Sequence, residues 1–254
     1  MLPTPDTSHV PFDRVYEPAE DSYLLLDTLS APSETAFLTS RFGSDSGSAP
    51  LVVEVGTGSG VVIGFVAAQA QKLFGTRNVL TAGLDLNSFA CRATNGTVGR
   101  ARKENEETSC HAWLGATMSD LTSPLRSGVV DVLIFNPPYV PSSELPDQSS
   151  ETLLIGERKT TFDEDSYFLS LSYAGGKDGM ETTDRLIEAL PAVLSARGCA
   201  YILLCAQNKP QDVKSRIEGF GNGWQALTVG ESGKQAGWEK LQIIRVWRDR
   251  QQVS

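Results

Sequence analysis

Hydrophobic and polar positions follow two periods along this chain, and the periods take turns. Residues 51–55, 79–86, 111–118, 129–135 and 199–205 are short runs rich in Val, Leu, Ile and Phe, each closing on Gly, Asp, Asn or Cys; such runs predict strands. Between them, residues 61–73, 87–107, 179–196 and 210–219 space their apolar positions as helices do,. A further helix is predicted over 20–29, and two closing strands over 226–229 and 241–247. Apolar strands alternating with amphipathic helices imply a mostly parallel sheet covered on both faces. The expected fold class is therefore α/β, Rossmann-like, with seven strands and an antiparallel hairpin at one edge.

Three stretches fall outside this alternation. Residues 1–12 are polar and Pro-containing, and are expected to be disordered,. Residues 39–50 have the composition of a loop,. Residues 141–178 hold two prolines, several serines and mixed charges, with a short helix expected near 168–173. Insertions of that length in a compact domain are functional lids or disordered segments. With 254 residues, 40% of them hydrophobic, the chain is expected to form one α/β domain over 13–254, with a core that needs no staples.

Charge and cysteine usage narrow the function classes. Acidic residues outnumber basic ones 31 to 22, for a net charge of −9, which disfavours a duplex nucleic acid as the main partner. The basic run at Arg100 to Lys103 is followed at once by Glu104, Glu106 and Glu107 and reads as a solvated helix end. The four cysteines (Cys91, Cys110, Cys199, Cys205) are scattered, and only His9 and His111 could join them; this is no zinc spacing, and no metal is expected. A reducing compartment, cytoplasmic or also nuclear, is the simplest expectation. No signal peptide is evident, and no apolar run approaches the roughly 20 residues of a membrane span.

Candidate chemistry gathers at the ends of the predicted strands. The first closes on Glu54-Val55-Gly56-Thr57-Gly58-Ser59-Gly60 and turns into a helix. Glycines there let backbone approach a ligand closely, and the helix start supplies free N–H groups. Dinucleotide binders favour Gly-x-Gly-x-x-Gly, which would put a glycine where this chain has Val61. The carboxylate of Glu54 suits a cationic ligand better than a pyrophosphate. The second strand ends at Asp85-Leu86, where an acid can accept both ribose hydroxyls or cap the next helix. The third ends at Asp120-Leu121, where an acid can meet an adenine amino group while Leu121 packs on the ring. Ribose, adenine and a cationic amino-acid moiety would need such a series.

The fourth strand runs into Asn136-Pro137-Pro138-Tyr139. Proline forces the preceding residue away from helical geometry, so Asn136 and Pro137 are expected to be extended and stiff. The Asn136 side-chain oxygen and the Pro137 carbonyl can then accept both hydrogens of a planar –NH2 group, with Tyr139 stacking over it. Held this way, the nitrogen faces a methyl donor, and positioning and electrostatics carry most of the rate.

The glycine turn, together with Asn136-Pro137-Pro138-Tyr139-Val140, resembles the HemK-like class I methyltransferases. The N-terminal element, residues 15–27, is similar to the eukaryotic and archaeal branch of that family, which methylates the glutamine of the Gly-Gly-Gln motif in class 1 translation release factors. Residues 174–179 and 234–237 resemble the same branch, and the match spans nearly the whole chain from residue 13. The resemblance implies S-adenosyl-L-methionine as cofactor. Glu54, Gly56 and Gly58 would line its methionine end, with Ser22 and Tyr16 closing over it. Asp85 and Leu86 would hold the ribose, Asp120 and Leu121 the adenine, and Asn136 the acceptor amide. The family usually has Thr at position 22, and Ser keeps the hydroxyl; residues 142–173 are longer than the family pattern. The branch also implies a small zinc-binding activator protein as heterodimer partner, pairing with the edge strand at 111–118.

Two other chemistries share parts of this pattern. Adenine-N6 or guanine-N2 methylation of nucleic acid uses the same Asn-Pro-Pro-Tyr, and lysine methylation fits the fold but uses a planar-amide site poorly. A nicotinamide-dependent oxidoreductase is opposed by Val61 and the Pro-Pro strand exit.

Overall fold

The computed structural model describes residues 2–44, 47–147, 160–233 and 240–249. Its elements in chain order are α1 (Glu20–Ser30), α2 (Pro32–Phe42), β1 (Leu51–Val55), α3 (Val61–Ala68), α4 (Ala70–Phe74), β2 (Leu80–Asp85), α5 (Ser88–Glu104), β3 (Ala112–Met118), β4 (Val130–Phe135), α6 (Phe162–Tyr173), α7 (Glu181–Val193), β5 (Leu194–Cys205), α8 (Pro210–Glu218), β6 (Trp224–Glu231) and β7 (Leu241–Arg248). The strands form one seven-stranded sheet in the order β3-β2-β1-β4-β5-β7-β6. The first five are parallel, and β7 runs antiparallel between β5 and β6. This is the α/β sheet that the sequence pattern implies.

The central strands are apolar throughout because both of their faces are covered. Successive strand side chains point to opposite faces. In β4, Val132 and Ile134 join a core with α1 to α4, while Leu133 and Phe135 join a second core with α7 and α8. Tyr201 and Leu203 of β5 go to the first core, Ala200 and Ile202 to the second. Only the sheet edges break the pattern: on β3, Leu114 and Met118 are exposed, as is Leu227 on β6.

Several elements differ from the sequence expectation. The loop expected from residue 39 is in part α2, which starts on Pro32 and stops at Gly43. Leu38 and Phe42 bury its inner face, and the Phe42 ring meets Phe74 edge-on at 6.5 Å. The helix expected over 61–73 breaks at Gln69 (φ −107°, ψ 18°) into α3 and α4. Gln69 is fully buried and donates from its amide to Asn105. Residues 194–196, expected to end a helix, begin β5 instead.

Residues 2–12 were expected to be disordered, but they pack across α3 and α5. Val10 is buried with Phe89 and Ala93 in a third apolar cluster, and His9 hydrogen-bonds the Ala93 carbonyl. Of the long insertion, the described part folds back: Val140 bridges Ala174, and α6 begins with a capping box in which Thr161 and Glu164 exchange hydrogen bonds. Phe168 anchors α6 on Phe89, ring centroids 5.0 Å apart. The resemblance read at residues 234–237 lies outside the described residues.

Candidate active site

Strand order reverses between β1 and β4, and ligands of open α/β sheets bind beyond the carboxyl ends of the strands at such a point. A cavity of about 1100 Å³, counted out to its mouth, opens there. Tyr16, Ser22, Glu54, Gly56, Gly58, Asp85, Leu86, Asp120, Leu121 and Asn136 all line it, so residues scattered over more than a hundred positions meet in one place. Pro137 and Tyr139 do not line it. Pro137 is buried, Tyr139 packs against the apolar core with α1, and it is Pro138 that faces the cavity.

The glycine turn is pinned from both sides. Gly56 N–H donates to the Leu84 carbonyl at 2.7 Å, and Gly58 N–H to the Asp85 carboxylate at 2.9 Å. Gly60, at φ 78°, precedes α3 where any Cβ would sit 2.7 Å from the Thr94 Cα. That close helix–turn contact demands glycine. Asp85 also accepts from Asn87 N–H at 2.8 Å, but the cap of α5 is Asn87, whose side chain accepts from Phe89 N–H. The capping alternative for Asp85 therefore falls to its neighbour. Leu121 adopts a left-handed backbone (φ 47°) beside the half-exposed Asp120, which takes an ion pair from Arg185 on α7 at 2.5 Å.

Glu54 is buried and accepts from Ile63 N–H at 2.9 Å. Burial pushes its carboxyl well above the ordinary range; the Ile63 hydrogen bond opposes this, and the nearby Asp85 charge adds to it. Burial also raises the Asp85 carboxyl, against the pull of the Gly58 and Asn87 N–H groups. The described lining contains four acids (Asp21, Glu54, Asp85, Asp120) and no lysine, arginine or histidine. A cavity that concentrates carboxylates in low dielectric favours a cationic ligand. Its donor set thus fits a nucleoside bearing a sulfonium and an ammonium group.

Asn136 stands at the end of β4. Its Nδ2 donates to Asp21 at 3.1 Å, while its Oδ1 is buried without a hydrogen-bond partner among the described residues. A buried acceptor left open is costly, and Asn136 is one of the residues that line the cavity. Asp21, on the first turn of α1, escaped the sequence reading, as did Leu145, Pro146, Phe168, Leu171 and Ser172 of the insertion, which also line the cavity. The one signal available for Asp21 was its place beside Ser22.

No family model matches the chain. It is 31% identical over 252 residues to the eRF1 methyltransferase catalytic subunit mtq2 of Schizosaccharomyces pombe, covering 98% of this chain and 96% of that one. It is 30% identical over 250 residues to the mouse methyltransferase HEMK2, covering 96% of each. Among solved structures, the METTL16 methyltransferase domain superposes with a TM-score of 0.52 at 13% identity, over 95% of this chain and 87% of that one; that likeness is one of fold. With its glycine turn, its acids and its Asn136 and Pro138 gathered at one cavity, and with full-length similarity to mtq2 and HEMK2, the chain belongs to this HemK-like family of methyltransferases.

Proposed function

We propose that this chain uses S-adenosyl-L-methionine to methylate the side-chain amide nitrogen of the glutamine in the Gly-Gly-Gln motif of a class 1 translation release factor. The observation that carries this is the buried, unpartnered Oδ1 of Asn136 at the cavity wall. It is an acceptor awaiting an N–H, and a primary amide offers one with its nitrogen in the same plane. When bound, S-adenosylmethionine supplies an electrophilic methyl on a cationic sulfur. The carboxylates of Glu54, Asp85 and Asp120 suit its ammonium, ribose and adenine ends in turn. Asn136 accepts the N–H of the acceptor amide and so fixes the position and orientation of its nitrogen. The eRF1 named for the relative mtq2 supports the substrate, and the acid-lined cavity and net charge of −9 oppose a polyanion in its place.

The small zinc-binding activator belongs to the same proposal. Strand β3 is an open edge with Leu114 and Met118 exposed, which suits β-augmentation by a partner strand. The test is methyl transfer with labelled cofactor, with and without the activator, offering release factor against oligonucleotide. Label in the release factor is expected; label in the oligonucleotide alone would overturn the substrate. Asn136→Ala is expected to slow transfer by at least about 100-fold, leaving a slow residual rate, yet keep cofactor affinity, measured by calorimetry. Loss of both would make Asn136 a cofactor or folding residue instead.

A further inference from the structure

We infer that Asp21 is a positioning residue that fixes which face of the Asn136 amide meets the acceptor. This rests on the nitrogen-methylation reading above. An asparagine amide can turn over, exchanging a donor for an acceptor at nearly the same positions. Turned one way, Asn136 offers the cavity an oxygen that can take an acceptor N–H. Turned the other way, it offers an NH2 that repels it. Asp21 removes the choice. An ionised carboxylate only accepts, so the group facing its Oδ2 at 3.1 Å must be the Asn136 NH2, and Oδ1 is left for the substrate.

Asp21 is itself held for this task. It is 3% exposed, and its other oxygen, Oδ1, accepts from Ser22 N–H at 2.6 Å and from the Ser22 hydroxyl at 3.2 Å. One oxygen is spent on the start of α1, the other on a residue 115 positions away. No cation pairs with it among the described residues. Its charge is therefore directed at Asn136, where it strengthens the hydrogen bond and polarises the amide toward Oδ1.

These roles make Asp21→Asn more damaging than Asp21→Ala. In Asp21→Asn, the single oxygen stays on the short Ser22 N–H bond, so an NH2 faces the NH2 of Asn136. Asn136 then turns over and presents a donor to the acceptor. In Asp21→Ala, Asn136 is unguided but can still adopt the productive face. A residue that merely supported the fold would give the reverse order, since the isosteric change is the milder one.

The experiment measures kcat and cofactor Kd for both variants and for Asp21→Asn combined with Asn136→Ala, and follows the Asn136 side-chain amide by 15N–1H NMR, assigned through its loss in Asn136→Ala. Asp21→Asn is expected to lower kcat by about 10- to 100-fold, below Asp21→Ala, with cofactor Kd within about threefold. It should add nothing to Asn136→Ala and should shift the Asn136 amide resonance. A slower Asp21→Ala, a further loss in the Asn136→Ala background, or an unmoved resonance would overturn the assignment. If Asp21→Ala does not fold, the double variant and the resonance decide. If the native chain labels another nitrogen acceptor, the proposed substrate fails and the variants are ranked on that acceptor. If it labels none, the resonance alone decides the role of Asp21.

Discussion

Glu54 is where sequence and chemistry agree most closely, and it carries a pH signature. Because burial raises its carboxyl well above the ordinary range, with the Asp85 charge adding and the Ile63 N–H opposing, the folded chain holds a proton that the unfolded chain has released. The stability this proton brings is present below the ordinary carboxylate range and is lost as pH rises through the raised value. A cationic ligand reverses the preference by favouring the ionised form. Cofactor binding should therefore release a proton within that window and tighten as pH rises across it. Calorimetry in buffers of different ionisation enthalpy reads this directly, and proton uptake would contradict it. Glu54→Gln should flatten the pH dependence and weaken binding by about 1.5–3 kcal/mol. Glu54 was legible because a carboxylate before a glycine turn has few structural uses. Asp21 was not: an acid in the first turn of a helix is ordinary, and its purpose depends on Asn136, far along the chain. Tyr139 was expected over the acceptor and packs against the core instead, since a residue's side after two prolines is set by what the backbone packs on.

At the level of elements, the loop after α6 explains a motif that residue types alone could only match to a family. Residues 174–179 lie directly on the exit of β4. Gly175 N–H donates to the Val140 carbonyl at 2.8 Å, and Asn208 holds the Asp178 carbonyl at 3.1 Å while its own side-chain oxygen takes Cys205 N–H. Gly179 sits at φ 68°, and a Cβ there would be driven into the Tyr139 carbonyl oxygen. Gly179→Ala should thus cost more than about 1 kcal/mol, lower Tm by at least about 2–4 °C, and reduce kcat by loosening the segment that carries Asn136. Gly99→Ala is the control. It lies in α5 with open space around its Cβ and no left-handed backbone, so it should raise Tm slightly. A Gly179→Ala as stable and active as Gly99→Ala would show that the loop does not brace the site. Helix α2 was missed for a related reason. Its Ser and Thr content reads as loop, yet Glu34 is buried against Tyr201 and Arg245, partners that no local pattern discloses.

For the whole molecule, the sheet was readable because each central strand is buried on both faces and each helix on one, so two periods sufficed. What lay beyond the periods was the order in which the central strands meet: the closing hairpin was expected at one edge, which is β6, and the other edge, β3, came only from the family resemblance. Exposed edges invite pairing, and both carry an exposed leucine, Leu114 at 59% and Leu227 at 50%. The proposed activator chooses between them. Leu114→Asp places a charge on the β3 edge without touching the core, so the free chain should keep its stability within about 0.5 kcal/mol while a pairing strand would have to bury that charge. Association with the activator, followed by light scattering, should then be lost, together with activator-dependent methyl transfer. Leu227→Asp should leave both intact. The opposite result, with Leu227→Asp dissociating the pair and Leu114→Asp harmless, would move the partner to β6, at the opposite edge of the sheet.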